Sequence, residues 1–385
     1  MSRIKVLVID DSAVVRRLLK EMLAVDPRID VVGTAADPYV ARRKIKELSP
    51  DVLTLDVEMP KMNGLDFLDN LMRLRPMPVV MVSSQTKAGA EITLKALELG
   101  AIDFVCKPQI KLSDQLHAFR REIIDKIKAA STANIQHSSA NFSSEEANGR
   151  AQARSGEAKN IAGTVKRLAS SKKRSDSIDN QGGAVEVIAI GASTGGTEAI
   201  KNILAKMPRD MPPTIVVQHI PKTFSAAFAR SANYLSAMTV TEAEDGDILE
   251  RGHVYVAPGD RHLMLEWDGK SYRCSLDDGP DVNRHKPSAD VMFSSVATVL
   301  GRRAVGVLLT GMGVDGARGL SELHRQGCLT IAQDQATSVV WGMPGEAVRL
   351  GAASEVLALE DIPERLKLVA RHLSDEDNAR VGVFE

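Results

Sequence analysis

Short apolar runs alternate with helix-periodic segments along the first third of this chain. Apolar runs of roughly four to eight residues predict buried strands, and spacing of three and four residues predicts amphipathic helices. Five strands and five helices in strict alternation predict a doubly wound parallel sheet. The predicted strands are 4–9, 30–34, 51–55, 79–82 and 102–105, and the predicted helices are 13–25, 38–48, 65–74, 87–99 and 112–129.

Polar side chains stand where these predicted strands end. Because the carboxyl ends of parallel strands share one edge of a sheet, we expect these side chains to converge. Carboxylates at one edge repel one another unless a cation joins them, and oxygen-only ligands favour Mg²⁺. Helix capping accounts for Asp11 but not for Asp56, nor for Lys107, which the following proline holds extended. The residues at this edge are Asp10, Asp11, Asp56, Ser83 and Lys107.

This pattern resembles the receiver domain of two-component response regulators. The matching motifs are V-L-V-I-D-D-S, D-V-L-T-L-D-V-E-M-P, M-V-S-S and D-F-V-C-K-P. The resemblance implies a flavodoxin-like domain over residues 1–130 that receives a phosphoryl group from a histidine kinase. The implied roles are Asp56 as phospho-acceptor, Asp10, Asp11, Asp56 and the Glu58 backbone carbonyl as Mg²⁺ ligands, Ser83 and Lys107 as phosphoryl contacts, and Phe104 as the switch aromatic.

The composition changes after residue 130. Small and polar residues dominate residues 131–183, which predicts a flexible linker. The whole chain has 49 Lys and Arg against 50 Asp and Glu, a formal net charge of −1. This balance, and the acids interspersed among the basic residues of the linker, argue against a nucleic-acid partner.

The remaining composition indicates a cytoplasmic protein. Its three cysteines, Cys106, Cys274 and Cys328, are far apart and form no C-x-x-C, which argues against disulfides and a zinc site. No apolar run approaches the ~20 residues of a membrane span, so we expect no membrane insertion. The N-terminus runs directly into a predicted strand, so we expect no signal peptide.

A second centre of the chain is the segment V-E-V-I-A-I-G-A-S-T-G-G, residues 185–196. A buried strand over 185–190 and a helix over 197–205 would place Ser193 on a strand-to-helix turn. Small neighbours allow close approach to Ser193, and free N–H groups at a helix start stabilise a developing negative charge. The pattern G-x-S-x-G is short, so a phosphate cradle, a dinucleotide cradle and plain turn chemistry remain alternatives.

Two further residues follow predicted strands in this half of the chain. His219 follows the strand 214–217, and Asp315 lies in the Gly-rich turn after the strand 304–309. If these strands are parallel neighbours, Ser193, His219 and Asp315 meet at one sheet edge as nucleophile, base and orienting acid. A structural histidine and a helix-capping aspartate are the alternatives for each residue alone. The chain order Ser–His–Asp differs from the usual α/β-hydrolase order, and His219 stands where a dinucleotide site would need an acid.

The second half resembles the catalytic domain of the chemotaxis protein-glutamate methylesterase (CheB) family. The matching motifs include I-G-A-S-T-G-G, V-V-Q-H-I-P, H-K-P-S-A-D, L-L-T-G-M-G-V-D-G-A and V-V-W-G-M-P. The resemblance implies a doubly wound, mostly parallel α/β domain over 184–375 with a β-hairpin insertion, followed by a tail, 376–385. It also implies that Thr194 and Met312 line the site, with the Met312 N–H as an oxyanion donor. Gln335 departs from the acidic residue that we expect there.

The resemblance also implies a function. We expect hydrolysis of glutamyl methyl esters on chemotaxis receptors, slower deamidation of receptor glutamines, no cofactor at the esterase site, and a monomer phosphorylated by the chemotaxis histidine kinase. The unphosphorylated receiver would cover the esterase groove, and a phosphoryl group on Asp56 would favour an open arrangement. The alternative is a non-enzymatic regulator in which the second domain is a binding module and Ser193 is turn chemistry.

Overall fold

The protein is described here by a computed structural model, which covers residues 3–59, 62–84, 86–107, 113–134 and 185–370. Two α/β units pack against each other, one within residues 3–134 and one within 185–370. Most of the predicted linker, residues 135–183, and the predicted tail, 376–385, lie outside the described residues.

The N-terminal unit alternates strands and helices as the apolar pattern predicts. Four of its helices begin after a residue whose side chain accepts a hydrogen bond from the first helical turn, namely Ser12, Asp37, Asn63 and Thr86. The elements are β1 (Ile4–Ile9), α1 (Ala13–Leu23), β2 (Ile29–Ala35), α2 (Pro38–Leu48), β3 (Val52–Asp56), α3 (Gly64–Leu74), β4 (Val79–Ser83), α4 (Lys87–Glu98), β5 (Asp103–Cys106) and α5 (Ser113–Ser131).

These five strands form one parallel sheet in the order β2-β1-β3-β4-β5, which confirms the predicted fold class. The order is that of flavodoxin-like proteins, whose ligand crevice lies where the strand order reverses, between β1 and β3. Asp10 directly follows β1, and Asp56 is the last residue of β3. The topology therefore places these two carboxylates on either side of the crevice.

The second unit is also built from strands and helices in alternation, with a hairpin between two of them. Its first strand covers two residues beyond the apolar run 185–190, because pairing with its neighbours starts at Val187 and continues to Ala192. The elements are β6 (Val187–Ala192), α6 (Gly196–Ala205), β7 (Thr214–Gln218), α7 (Lys222–Leu235), β8 (Thr239–Glu242), β9 (His253–Val256), β10 (His262–Trp267), β11 (Tyr272–Asp277), α8 (Ala289–Leu300), β12 (Ala304–Leu308), α9 (Ala317–Arg325), β13 (Leu329–Gln333), α10 (Met343–Arg349) and β14 (Glu355–Leu357).

Seven of these strands form a parallel sheet in the order β14-β13-β12-β6-β7-β9-β8, and β10 and β11 form a separate antiparallel ribbon. This confirms the predicted parallel α/β sheet with a hairpin insertion. The central strand β6 pairs with β12 on one side and β7 on the other. The carboxyl ends of these three strands therefore lie side by side, and the turns that follow them share one edge of the sheet.

The two units share apolar contacts. The rings of Phe104, on β5, and Phe224, on α7, stack with centroids 4.5 Å apart, and both side chains are buried. This contact joins the apolar core of the first sheet to that of the second in one continuous cluster. Across the residues that the structure describes, no helix is long and apolar enough to cross a membrane.

Candidate functional site

The acidic residues of the first unit meet at the carboxyl edge of its sheet. The side chains of Asp10 and Asp56 are buried and that of Asp11 is exposed. Each offers a carboxylate oxygen, and these oxygens lie within 4.8 Å of one another. The Lys107 Nζ lies 2.7 Å from Asp56 Oδ2 and 3.1 Å from Asp10 Oδ2. Three carboxylates and one ammonium leave a net negative, oxygen-only donor set, which fits a hard divalent cation such as Mg²⁺.

The charges at this edge are incompletely balanced. Burial raises the pKa of Asp56 to about 6, although the adjacent Lys107 ammonium lowers it. Burial lowers the pKa of Lys107, but its two carboxylate partners outweigh that effect and raise it overall. Asp10 Oδ2 is buried, and apart from the Lys107 ammonium at 3.1 Å it has no polar partner among the described residues. A bound cation would favour the ionised form of Asp56 and give Asp10 a further partner.

Ser83 and Glu58 lie at the same edge. Ser83 ends β4, and its buried hydroxyl accepts a 2.7 Å hydrogen bond from Thr93 Oγ1. The Lys107 N–H donates to the Ser83 carbonyl at 2.7 Å, which ties the ends of β4 and β5 together. The Glu58 N–H donates to Asp56 Oδ1 at 3.3 Å, which fixes the backbone turn after β3. Sequence reasoning missed Thr93, since nothing in its helical spacing distinguishes it from a core residue.

In the second unit, Ser193 and His219 stand one residue beyond the last paired residues of neighbouring strands. Ala192 of β6 pairs with Gln218 of β7, so the next residues are neighbours with backbones roughly 5 Å apart. The His219 N–H donates to the Ala192 carbonyl at 3.1 Å, and Gln218 Nε2 donates to the Ser193 carbonyl at 2.9 Å. The strand register therefore fixes both backbones beside each other.

The two Gly-rich turns are needed for close packing around Ser193. Gly195 has φ 76°, and a Cβ there would lie 2.6 Å from Val339 Cγ2. A Cβ at Gly311 would lie 2.8 Å from Ser193 Cβ. The Ser193 N–H donates to the Thr310 carbonyl at 3.0 Å, which joins the two turns. Any side chain at either glycine would displace the serine or its neighbours.

Asp315 is held by several donors at once. Its side chain is 1% exposed and its Oδ2 lies 2.9 Å from His219 Nε2. Asn283 Nδ2 and Ser288 Oγ each donate to Oδ1 at 2.7 Å, and the Ala289 N–H donates to Oδ2 at 2.6 Å. Burial by itself would raise the pKa of Asp315, but the contacts from His219, Asn283 and Ser288 hold it well below the usual range. Asp315 is therefore a pre-organised anion aimed at the imidazole.

The nitrogen of His219 that does not face Asp315 is the one available to Ser193. Nδ1 is buried and has no hydrogen-bond partner among the described residues. The structure thus brings Ser193, His219 and Asp315 to one sheet edge and joins the last two directly. Ser193 and His219 are not hydrogen-bonded to each other in this structure. Such bonds are often long before substrate binds.

Thr194 and Met312 lie on the turns that flank Ser193. Thr194 is buried, and its Oγ1 donates to Asp103 Oδ2 of the first unit. Met312 is half-buried in the turn between Gly311 and Gly313, and the Gly311 carbonyl accepts hydrogen bonds from the N–H groups of Gly342 and Met343 at 3.0 and 2.8 Å. The loop that carries Gln335 is organised by its neighbour Asp334, whose carboxylate accepts from the Thr337 N–H at 2.9 Å.

Polar contacts between the units surround the apolar Phe104–Phe224 pair. Lys126, half-buried on α5, lies 3.1 Å from Asp103 Oδ1, so Asp103 bridges Lys126 and Thr194. Lys201 of α6 is 2% exposed and lies 2.9 Å from Glu98 Oε1 of α4. The first unit therefore contacts the residue next to Ser193 through an ion-paired carboxylate. Sequence reasoning could not assign these partners, because they belong to segments about 90 residues or more apart.

The segment 282–290 supplies the functional neighbours that sequence reasoning missed. Its motif H-K-P-S-A-D was part of the family resemblance, yet Asn283, His285 and Ser288 received no role. The structure places Asn283 and Ser288 on Asp315 and stacks the His285 ring on His219. The signal available in the sequence was a run of polar residues in front of a buried helix.

Fold and site together define a class: a receiver domain joined to an α/β domain that carries serine, histidine and aspartate at one sheet edge. Comparison with known families agrees, since residues 6–118 match the response regulator receiver domain and residues 188–366 match the CheB methylesterase domain. The chain belongs to the CheB methylesterase family. 

Relatives cover almost the whole chain. A protein of Hydrogenovibrio crunogenus, named protein-glutamate methylesterase/protein-glutamine glutaminase, is 52% identical over 95% of this chain and 98% of its own length. A protein of Xanthomonas campestris pv. campestris with the corresponding name is 51% identical over 94% and 96%. Among solved structures, the catalytic domain of Thermotoga maritima CheB is 36% identical with a TM-score of 0.47, covering 48% of this chain and 98% of that one.

Proposed function

We propose that this chain hydrolyses γ-methyl esters of glutamyl residues on chemotaxis receptors and, more slowly, deamidates receptor glutamines. The observation that carries the proposal is the convergence of Ser193, His219 and Asp315 at one sheet edge, with His219 Nε2 2.9 Å from a buried Asp315. The names of relatives that align along nearly the whole chain support the same substrate class.

The chemistry follows from these positions. Ser193 Oγ attacks the ester carbonyl carbon while His219 Nδ1 accepts the hydroxyl proton. Asp315 keeps the Nε2–H tautomer and stabilises the imidazolium. His219 then returns the proton to the departing methoxide oxygen, releasing methanol, and a water molecule hydrolyses the acyl-serine with His219 as base. An amide has a poorer leaving group, so deamidation should be slower.

The tetrahedral oxyanion forms between the two Gly-rich turns. N–H groups at a helix start and on a tight turn stabilise such a charge, because they are fixed in place before the reaction. The Met312 N–H is the proposed oxyanion donor, and Thr194 lines the same side of the site. No cofactor is required by this sequence of steps.

In the first unit we propose that Asp56 accepts a phosphoryl group from the chemotaxis histidine kinase. Asp10, Asp11, Asp56 and the Glu58 carbonyl would hold Mg²⁺, which offsets the charge of the phosphoryl group when bound. Ser83 and Lys107 would contact the phosphoryl oxygens. Burial of Asp10 and Asp56 beside a single ammonium supports this assignment.

Regulation would be by cover and release. The contact between Asp103 and Thr194 places the unphosphorylated first unit directly beside Ser193, and the Glu98–Lys201 pair and the Phe104–Phe224 stack hold it there. Phosphorylation of Asp56 would favour an arrangement in which a receptor helix reaches Ser193. We propose that the protein works as a monomer in the cytoplasm.

The substitution Ser193→Ala tests the esterase assignment. We expect methanol release from methylated receptor to fall about 10³-fold or more, because the variant has no nucleophile. Ser271→Ala is the matched control, since Ser271 lies in the turn between β10 and β11, where its backbone is hydrogen-bonded to Asp268 and not to the site. If Ser193→Ala kept its turnover, the second unit would instead be a non-enzymatic binding module.

A further inference from the structure

A second histidine ring lies flat on the ring of His219. The centroids of His219 and His285 are 3.8 Å apart and the ring planes differ by 8°. Among the described residues, the His219 side chain has one hydrogen bond, from Nε2 to Asp315. A single hydrogen bond fixes one point of a ring but leaves rotation about that point, so another contact must define the ring plane.

We propose that His285 is a positioning residue for the reaction, a proposal that rests on the proposed esterase function. Its ring holds His219 in the plane in which Nε2 donates to Asp315 and Nδ1 is left unpaired for the serine proton. Without the stacked ring, the imidazole would turn about its Asp315 contact and Nδ1 would leave the position from which it accepts the serine proton. A displacement of about 1 Å at such a position costs on the order of a hundredfold in rate.

The surrounding charges suit this role. Burial, together with His219, lowers the pKa of His285 to about 3. The groups that act on His285 are His219, Asp315, Lys126 of the first unit and its neighbour Arg284. His285 is therefore neutral at physiological pH and offers an uncharged π face to His219. That face attracts the imidazolium that forms when Ser193 is deprotonated.

The backbone that carries His285 is fixed by the same hairpin that supports Asp315. Val282 and His285 exchange backbone hydrogen bonds of 3.1 and 2.9 Å, across a two-residue turn in which Asn283 and Arg284 have φ 52° and 70°. Asn283 Nδ2 donates to Asp315 Oδ1 at 2.7 Å. One turn thus holds both the carboxylate and the ring that define the orientation of His219.

The test compares His285→Ala with His285→Phe in the full chain, with methylated receptor, Mg²⁺ and a small phosphodonor. We expect His285→Ala to lower kcat about tenfold to a hundredfold with KM changed less than about twofold. Phenylalanine keeps a flat ring, so His285→Phe should retain kcat within about threefold of the parent.

A second readout does not depend on turnover. By ¹⁵N and ¹H NMR of the His219 ring, we expect all three proteins to keep the Nε2–H tautomer, because the contact with Asp315 remains. The ring signals of the parent and of His285→Phe should be sharp, whereas those of His285→Ala should broaden because the ring turns between orientations. If His285→Ala keeps both kcat and sharp ring signals, or if His285→Phe is as impaired as His285→Ala, positioning by stacking is wrong. Absence of methanol release from the parent chain would contradict the esterase function instead, while the line widths of the His219 ring would still decide the role of His285.

Discussion

At the scale of single residues, the second site is organised around a buried anion. Asp315 is 1% exposed and receives hydrogen bonds from Asn283, Ser288 and the Ala289 N–H besides its contact with His219. An isolated carboxylate at this depth would be costly, and these donors offset the cost of its burial. The same donors prevent the carboxylate from turning away from the imidazole.

The donor at Asn283 can be removed with little change to its backbone, because glycine accepts φ 52° readily. We expect Asn283→Gly to lower the free energy of unfolding of the second unit by about 2 kcal/mol. Arg284→Gly is the matched control, since Arg284 occupies the same turn at φ 70°, is exposed, and should change stability by less than about 1 kcal/mol. Urea unfolding followed by tryptophan fluorescence reports on this unit, because both tryptophans, Trp267 and Trp341, lie in it.

The loss of unfolding free energy in Asn283→Gly depends on pH, in the way that the direction of the Asp315 pKa shift predicts. The folded-state pKa lies below the ordinary 3.8, so the stabilisation is complete above about pH 4 and decreases as pH falls toward the folded-state value. The difference between Asn283→Gly and Arg284→Gly should thus be constant from pH 7 to pH 5. An equal loss of stability in both variants would show that the turn, not the hydrogen bond, is responsible.

At the scale of elements, the ends of strands explain why so much could be predicted from the sequence. A polar residue directly after a buried apolar run of a parallel sheet lies at the carboxyl edge of that sheet. The sequence could therefore predict that Asp10 lies near Asp56 in the first unit and that Ser193 lies near His219 in the second. The supporting turn at 282–285 could not be predicted, since Asn283 and Asp315 are 32 residues apart in the chain and no pattern in the sequence links them. Docking of the two units could not be predicted either. The resemblance gave Phe104 a switch role inside the receiver domain, and nothing in the sequence pairs it with Phe224.

Helix α4 offers a direct test of which contacts hold the units together. Glu98 pairs with Lys201, which is 2% exposed, whereas Glu91 pairs with Arg230 at 3.4 Å with both side chains more than 60% exposed. Exposed pairs contribute little and shielded ones more. We expect Glu98→Gln to raise esterase turnover without phosphodonor about threefold to tenfold, and Glu91→Gln to leave it unchanged. Equal behaviour of the two variants would contradict an interface held by Glu98.

At the scale of the whole molecule, strand β5 connects the two sites. Asp103, its first residue, accepts the hydrogen bond from Thr194 beside Ser193, and Lys107, just after its end, lies 2.7 Å from Asp56 Oδ2. The strand between them spans only about 13 Å at roughly 3.3 Å per residue. A change in the partners of Lys107 on phosphorylation therefore has a short, rigid route to the contact that covers Ser193.

The central claim is that phosphorylation of Asp56 controls the esterase site, and methanol release from methylated receptor measures it most directly. With Mg²⁺ and a small phosphodonor, we expect the intact chain to be activated at least about tenfold, which requires only ~1.4 kcal/mol of coupling. Chelation of Mg²⁺ or the substitution Asp56→Asn should abolish the activation while leaving the basal rate. The account would be contradicted if the phosphodonor did not change the rate of methanol release, or if it raised that rate equally in the intact chain and in Asp56→Asn.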